Sequence, residues 1–305
     1  MRPFARLAAV EWPTLGLLVG VYGAFLVLAL HAESLGWGAA LLFGVLIALH
    51  SSLQHEALHG HPFRAPRINA LLVALPLGLF VPYWRFRALH IAHHDDPRLT
   101  DPYEDPESWY QHPRDWASAG PGRRLVLRLN NTLAGRVLLG PAVSLAAFYR
   151  TEARLIRAGQ RGVARAWIEH AAFGALLFWL LAQVPGFPFT AYLAGCYLGF
   201  SLLAIRTFLE HQAEDAVGHR TVLIEDRGPL AFLFLFNSLH AVHHARPGLP
   251  WYRLPAVYAE NREAFIRDNG GYVFRSYWQV IRTYAFRAKE PVPHPLKRSG
   301  PPAGE

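Results

Sequence analysis

The segment GWGAALLFGVLIALHSSLQHEALH (residues 36–59) carries the strongest structural signal in the chain. Residues 36–53 are mostly apolar, and a helix of about 20 such residues can cross the hydrocarbon core of a bilayer. The motif HEALH (residues 55–59) follows directly, and histidines four positions apart share one face of a helix. This segment therefore predicts a membrane-spanning helix that ends in a pair of candidate metal ligands.

Three further apolar runs have a similar length, at residues 13–30, 167–185 and 187–205. Of the whole chain, 52% is hydrophobic and only 17% is charged, a balance that favours a membrane protein over a soluble globule. Two shorter apolar stretches, at about 69–82 and 137–149, are too short to span comfortably and are expected at the membrane interface. The predicted fold is an all-α integral membrane protein with four transmembrane helices, short interfacial helices and a cytoplasmic histidine-rich cap.

The net charge of +8 comes almost wholly from arginines outside the apolar runs. Residues 1–12, 54–166 and 206–305 are rich in arginine, whereas the connectors near 31–36 and 186 contain neither Lys nor Arg. By the positive-inside rule, the arginine-rich segments, and with them the histidine-rich cap, should face the cytoplasm. The basic residues flank spans and form no recognisable nucleic-acid motif, so we expect no nucleic-acid partner.

The chain of 305 residues is expected to form a single domain (residues 1–305), and it contains no internal repeat. Residues 95–116 are polar and proline-rich, which disfavours a long helix and predicts an ordered loop. The final stretch, residues 288–305, is polar with several prolines and is predicted to be a flexible tail. The single cysteine, Cys196, lies in the fourth apolar run and is expected to be a small packing residue.

Histidine supplies the main functional signal. The chain has 16 histidines, and nine of them fall into HEALH, HIAHH (residues 90–94), LEHQ (residues 209–212) and HAVHH (residues 240–244). These candidate metal ligands are His55, His59, His90, His93, His94, His211, His240, His243 and His244. The others are interpreted as ordinary core or surface residues, namely His31, His50, His61, His112, His170, His219 and His294.

Within each motif, histidines three or four positions apart can reach one metal ion together. The adjacent pair at the end of HIAHH and of HAVHH splays, so one member of each pair can reach a second ion. Nine imidazoles exceed what one ion can use, and two ions with four or five nitrogens each would absorb them. Imidazole suits Zn, Cu, Fe and Ni, so the ligand type leaves the metal open.

The order of the motifs carries a resemblance. HEALH, then HIAHH about thirty residues further on, then HAVHH towards the carboxyl end, on a four-span scaffold, resemble the membrane fatty acid desaturase superfamily, which includes related hydroxylases and ketolases. The resemblance runs from about residue 36 to residue 260. It implies a centre of two non-haem iron ions and O2 as co-substrate. It also implies a separate electron donor, such as a ferredoxin, a rubredoxin or a small cytochrome. His211, just beyond the last span, matches an additional histidine that such enzymes often place there.

The resemblance further implies a membrane-bound, O2-dependent oxidoreductase whose leading reaction is the introduction of a double bond into a fatty acyl chain of a lipid or thioester. The alternative is a hydroxylase or ketolase of the same superfamily acting on a lipid or carotenoid. These reactions share the metal cage and differ in the placement of the substrate carbon. The reaction, the substrate and its regiochemistry therefore stay open at the level of sequence.

Polar residues beside the histidines are candidates for orienting the imidazole rings. Those next to ligand histidines are Glu56, Asp95, Asp96 and Glu210, and an ordinary solvated charge is an equal interpretation of each. Asn237 lies three residues before His240 and could orient a metal-bound water. Its position after an apolar run favours a helix N-cap instead.

A distant alternative starts from the same first motif, since HEALH also fits HExxH, in which two histidines bind zinc and the glutamate is the general base. The chain would then be an intramembrane zinc metalloprotease using His55, Glu56 and His59. Such a site would be expected to take a further ligand, often Asp, from another span, and none of the four apolar runs contains an Asp. A metal or haem carrier is weaker still, because haem-binding histidines would lie deep in the bilayer.

Overall fold

A computed structural model describes residues 10–297, except for the side chain of Asp96. Within this part the α-helices are α1 Trp12–Leu35, α2 Gly38–Leu58, α3 Pro66–Leu72, α4 Tyr83–His93, α5 Pro113–Ser118, α6 Pro121–Asn130, α7 Leu133–Arg157, α8 Arg161–Ala182, α9 Phe189–Thr207, α10 Pro229–Leu233, α11 His240–Ala245, α12 Leu254–Glu260, α13 Arg262–Asp268 and α14 Tyr277–Tyr284. Short 3-10 helices cover Asp96–Arg98, Val217–Arg220 and Trp251–Arg253. Two strands, β1 Leu223–Ile224 and β2 Val273–Phe274, pair in parallel. The protein is mostly helical.

Three of the described helices, α1, α2 and α9, are long and apolar enough to cross a membrane. The predicted span at 167–185 lies in α8, which does not qualify. Its first half contains Arg161, Arg165 and Glu169, so the apolar part of α8 is short. The structure supports three candidate spans, and the fourth stays a prediction.

The two shorter apolar stretches take different forms. Residues 69–82 begin in α3 and continue as an irregular segment. Residues 137–149 belong to the much longer α7, which has 25 residues and Pro141 in its interior.

Local side-chain caps mark the starts of α7 and α14. The hydroxyls of Thr132 and Ser276 each accept a hydrogen bond from the backbone N–H three residues further on.

The packing of α2 against α9 sets the relative position of their carboxyl ends, beside which HEALH and His211 lie. A Cβ atom on Gly195 would lie 2.5 Å from Cβ of Phe43, and one on Gly199 would lie 2.7 Å from Cγ2 of Ile47. Glycines at such an interface let two helix backbones approach closely. These contacts advance in the same direction along both helices, so α2 and α9 run parallel and their carboxyl ends emerge on the same side.

The polar cap lies beyond these carboxyl ends and includes part of the expected tail. The backbone N–H of Gln111 donates to the carbonyl of Val292 at 2.9 Å, and the N–H of His294 donates to the carbonyl of Gln111 at 2.9 Å. The side chain of His294 is buried. Residues 288–297 are thus packed against the loop that follows α4, while residues 298–305 lie outside the described part.

Candidate metal centre

The candidate ligand histidines converge on the cap side of α2 and α9. Two groups of four form, and within each group one ligand atom from every ring lies within 4.8 Å of the others. The first group is His55, His59, His90 and His243, and the second group is His93, His211, His240 and His244. Among the described residues, the seven histidines interpreted as ordinary lie outside both groups.

Helix geometry explains how the motifs are divided between the groups. HEALH at the end of α2 contributes only to the first group. HAVHH in α11 contributes to both, because the rings of the neighbouring His243 and His244 point in different directions, with planes 90° apart. HIAHH is divided as well, with His90 in the first group and His93 in the second.

His94 lies at the junction of the two groups. Its Nε2 is 3.0 Å from Nε2 of His90 and 3.1 Å from Nε2 of His243. Its ring also stacks on the ring of His244, with the centroids 4.4 Å apart. All nine histidines are therefore together, and His94 is placed to act as a fifth ligand beside the first group.

Hydrogen bonds to oxygen atoms determine which ring nitrogens face inwards. Nδ1 of His90 lies 2.9 Å from Oε1 of Glu107, and Nδ1 of His93 lies 2.8 Å from Oδ1 of Asp105. A carboxylate oxygen can only accept, so each Nδ1 carries a proton, and in the neutral ring that binds metal each Nε2 presents a lone pair. Nδ1 of His240 makes the equivalent contact with an amide oxygen, at 3.2 Å.

The inward-facing Nε2 atoms fit bound cations. Nε2 of His211 is 2.8 Å from that of His93 and 3.0 Å from that of His240. If all three rings are neutral, the Nε2 atoms of His93 and His240 both need a donor, and His211 has only one N–H to offer them. Hydrogen bonds alone therefore cannot satisfy these three nitrogens. Two nitrogens bound at right angles about 2.1 Å from one ion would be about 3 Å apart, which matches these separations. Among the described residues, Nε2 of His55 is also buried without a hydrogen-bond partner.

The electrostatics of the two groups differ. Burial, together with the neighbouring His90, lowers the pKa of His59 in the first group to about 2. Burial also opposes the charged form of His93 in the second group, but Glu107 and Asp105 outweigh it and raise the pKa of His93 to about 9. His59 is thus neutral, as metal binding requires, and His93 lies where a positive charge is favoured.

Sequence reasoning missed the two carboxylates that hold His90 and His93. Glu107 and Asp105 lie 17 and 12 residues from their partner histidines, in the proline-rich loop 95–116. No periodic spacing connects them to the motifs. The sequence did contain one signal for them: acidic residues are concentrated in the loop 95–116, which directly follows HIAHH and was expected to be ordered.

Two of the predicted orienting residues do lie beside a ligand ring. Oδ1 of Asn237 contacts His240, and its Nδ2 donates to Oε1 of Glu210 at 3.2 Å. The same Glu210 oxygen lies 2.9 Å from Nε of Arg206 and 3.8 Å from Nδ1 of His240. The N-cap interpretation of Asn237 was wrong, because Leu239 occupies that position of α11.

The other predicted orienting residues are placed differently. Glu56 is buried, but its Oε1 is 3.9 Å from Nδ1 of His55, and its Oε2 accepts a hydrogen bond from the backbone N–H of Trp251 at 3.1 Å. Asp95 is exposed and forms an ion pair with Arg98, so an ordinary surface charge is the better interpretation. The side chain of Asp96 lies outside what the structure describes.

A largely apolar cavity of about 220 Å³ lies beside the first group. Ile47, His50, Ser51 and Gln54 line it from α2. Their spacing of three and four residues forms one face of the helix, and the next position after Ser51 on that row is the ligand His55. Glu107 also lines the cavity, so the same carboxylate contacts both the cavity and His90.

Comparison with known proteins agrees with this geometry. The family model described as fatty acid desaturase matches residues 32–277 of the chain. A comparison with curated proteins gave no match. The matched range covers well over half of the chain and contains every histidine of both groups. The chain therefore belongs to the fatty acid desaturase family.

Proposed function

We propose that this oxidoreductase is a membrane-bound, O2-dependent di-iron desaturase that introduces a double bond into a fatty acyl chain of a lipid or thioester. The observation that carries the proposal is the pair of four-histidine groups whose Nε2 atoms face one another at separations that suit shared cations. The arginine-rich segments around the spans support an active site on the cytoplasmic face.

The two groups of histidines, with His94 between them, would hold the irons. When bound, the two irons would supply the oxygen activation needed to attack an unactivated methylene, because no side chain is an oxidant of that strength. Desaturation removes two hydrogen atoms, that is two protons and two electrons, from the substrate, whereas reduction of O2 to two waters takes four electrons and four protons. A separate donor, such as a ferredoxin, a rubredoxin or a small cytochrome, would supply the other two electrons, and solvent the two remaining protons.

The chain itself would orient the ligands and exclude water from the reacting carbon. Glu107 holds the ring of His90 and forms part of the cavity wall, so it couples the position of the substrate to that of the centre. Arg206 lines the same cavity and pairs with Glu210. The rest of the wall is largely apolar, with side chains such as Phe200 and Leu203, which suits an aliphatic chain.

Hydroxylation or ketone formation on a lipid or carotenoid is the second candidate, and one feature of the cavity favours it. The α2 wall presents His50, Ser51 and Gln54 to the cavity, and these polar groups suit a substrate that carries a polar group. A zinc metalloprotease built on His55, Glu56 and His59 would leave the whole second group unexplained, and we do not propose it.

Lipid analysis in a heterologous host tests the proposal. We expect expression of the protein to yield acyl chains that have lost two hydrogens, in an O2-dependent manner. Products that have gained one oxygen atom would instead support the second candidate. The variants His94→Ala and His244→Ala should each abolish the product and reduce bound iron, while the exposed His31→Ala should change neither. Unchanged product and iron in both ligand variants would contradict the proposal.

A further inference from the structure

Residues 288–297, which we term the C-terminal clamp, contact the backbone at a ligand of the second group and two residues after it. The ammonium of Lys289 donates to the carbonyl oxygen of His211. Oε1 of Glu290 accepts a hydrogen bond from the N–H of Ala213 at 3.2 Å. The hydroxyl of Tyr110 donates to Glu290 and also accepts from the N–H of Ala213, at 3.0 Å. Two consecutive residues of the clamp thus hold the segment that carries His211.

His211 needs such support because it lies outside the regular helices. It follows the end of α9 by four residues, and its local backbone pairing is an isolated bridge to Thr221. Lys289 is itself held in place, because its backbone N–H donates to the carbonyl of Asn131 at 3.1 Å and its side chain is only 12% exposed. The contact between Lys289 and His211 therefore joins two ordered segments.

A second arm of the clamp leads to another ligand of the same group. Nε2 of His294 lies 3.1 Å from the hydroxyl of Thr100. The backbone N–H of Thr100 donates to Oδ2 of Asp105 at 2.8 Å, and the other oxygen of Asp105 holds Nδ1 of His93. His294, Thr100 and Asp105 are all buried. An unbroken series of hydrogen bonds thus connects the clamp to the ring of His93.

Both arms end on neighbouring ligands, since Nε2 of His93 and Nε2 of His211 are 2.8 Å apart. The first group takes His55 and His59 from the carboxyl end of α2. Among the described residues the clamp reaches this group only by a longer path, in which the backbone N–H of Glu107 donates to Oδ1 of Asp105 at 2.9 Å and the Glu107 carboxylate contacts His90. We infer that Lys289 and His294 are positioning residues that act chiefly on the second metal ion. This inference rests on the proposed function in requiring that both groups bind metal.

Anaerobic titration of the purified full-length protein with Fe(II) tests the inference. We expect the wild type to bind about two ions per chain. In Lys289→Met and in His294→Leu the first ion should bind as in the wild type, while the affinity for the second should fall by about tenfold or more, as is typical when an outer-shell contact is lost. Lys289→Arg, which keeps a donor, should recover part of that loss.

Lys297→Met is the matched control. It removes the same charge from the same segment, but Lys297 is 43% exposed and pairs with Asp101, which is not a partner of any ligand histidine among the described residues. Its binding of both ions should equal that of the wild type. Equal weakening of both ions in the Lys289 and His294 variants, or no weakening, would overturn the inference.

Thermal unfolding of the metal-free proteins distinguishes positioning from general destabilisation. We expect the metal-free Lys289→Met and wild-type proteins to unfold at similar temperatures. If Lys289→Met does not fold, the near-isosteric Glu290→Gln decides in its place, again by loss or retention of the second ion alone. Failure of the wild type to bind two ions would count against the proposed function itself and would be seen before any variant is compared.

Discussion

The two groups of histidines are held in different ways. The first group takes His55 and His59 from the end of a candidate membrane span, where helix geometry alone brings them together. The second group takes His211 from an irregular segment, and the ring of His93 is held by a buried loop carboxylate. Each group thus contains one pair set by helical spacing, His55 with His59 or His240 with His244, and one ring held by a loop carboxylate. The second group differs in that its fourth ligand, His211, depends on an irregular segment. The comparison suggests that the second group is the more sensitive to changes in the cap.

Removal of a ligand should give the largest effect and should separate the groups. We expect His243→Ala to remove iron from the first group and His244→Ala from the second, and each to lower product formation more than about 100-fold, since even outer-shell changes cost 10- to 100-fold. Iron per chain and product yield are the measurements. Retention of two irons in either variant would break the assignment of these neighbours to different groups.

Filling the cavity should block the substrate and leave both groups intact. Ser144 lines the cavity from α7. We expect Ser144→Trp to lower product formation by about 100-fold, because a small misplacement of a substrate costs that much. Iron content should be unchanged, and Ser144→Ala should behave as the wild type. Loss of iron in Ser144→Trp would mean that the cavity and the centre are not separable.

The carboxylates offer a direct comparison of the groups. Asp105→Asn should weaken the ion of the second group, and Glu107→Gln that of the first, each by about 10- to 100-fold. We expect the larger effect in Asp105→Asn, because the side chain of Asp105 is 2% exposed and that of Glu107 is 28% exposed. Fe(II) affinity for each ion is the measurement. If both variants weakened the same ion, the assignment of Asp105 to the second group and Glu107 to the first would be wrong.

Acidification of the metal-free protein should give the smallest effect. The folded pKa of His59 is about 2, so as the pH falls below about 6.5 the unfolded chain takes up a proton that the folded ring does not. Its contribution to stability is therefore present above that pH and is lost below it, by about 1.4 kcal/mol per pH unit. Thermal unfolding at about pH 7.5 and 5.5 should show the decrease, and His59→Gln should reduce it.

His93 in the second group should act in the opposite direction. Its folded pKa of about 9 lies above the ordinary value, so its contribution is fully present below about pH 6.5 and is lost as the pH rises through 9. Asp105→Asn, which removes one cause of this rise, should therefore lower the stability of the metal-free protein more at pH 6 than at pH 9 or above. Equal destabilisation at both pH values would contradict the assignment.

Several features of the fold and the site followed from local sequence. Apolar runs of sufficient length marked α1, α2 and α9, and histidines spaced by three or four residues marked every ring of the two groups except that of His211. His211 was identified by its position just beyond the last span and by the resemblance. The prediction of a fourth span was not supported, because charged residues occupy the first half of α8. Asn237 was identified as a candidate, but its favoured role was wrong, since the cap position of α11 belongs to Leu239.

The candidate spans, the family and the nine histidines could be identified without a structure, because apolar runs, helical spacing and the order of the motifs depend only on neighbours along the chain. The hydrogen bonds of Asp105 and Glu107 to the rings, and the contact of Lys289 with His211, became evident only from the folded chain. Those contacts join residues that are 12 to 78 positions apart in the chain. No periodicity encodes such paths, so the packing of the cap alone brings their partners together.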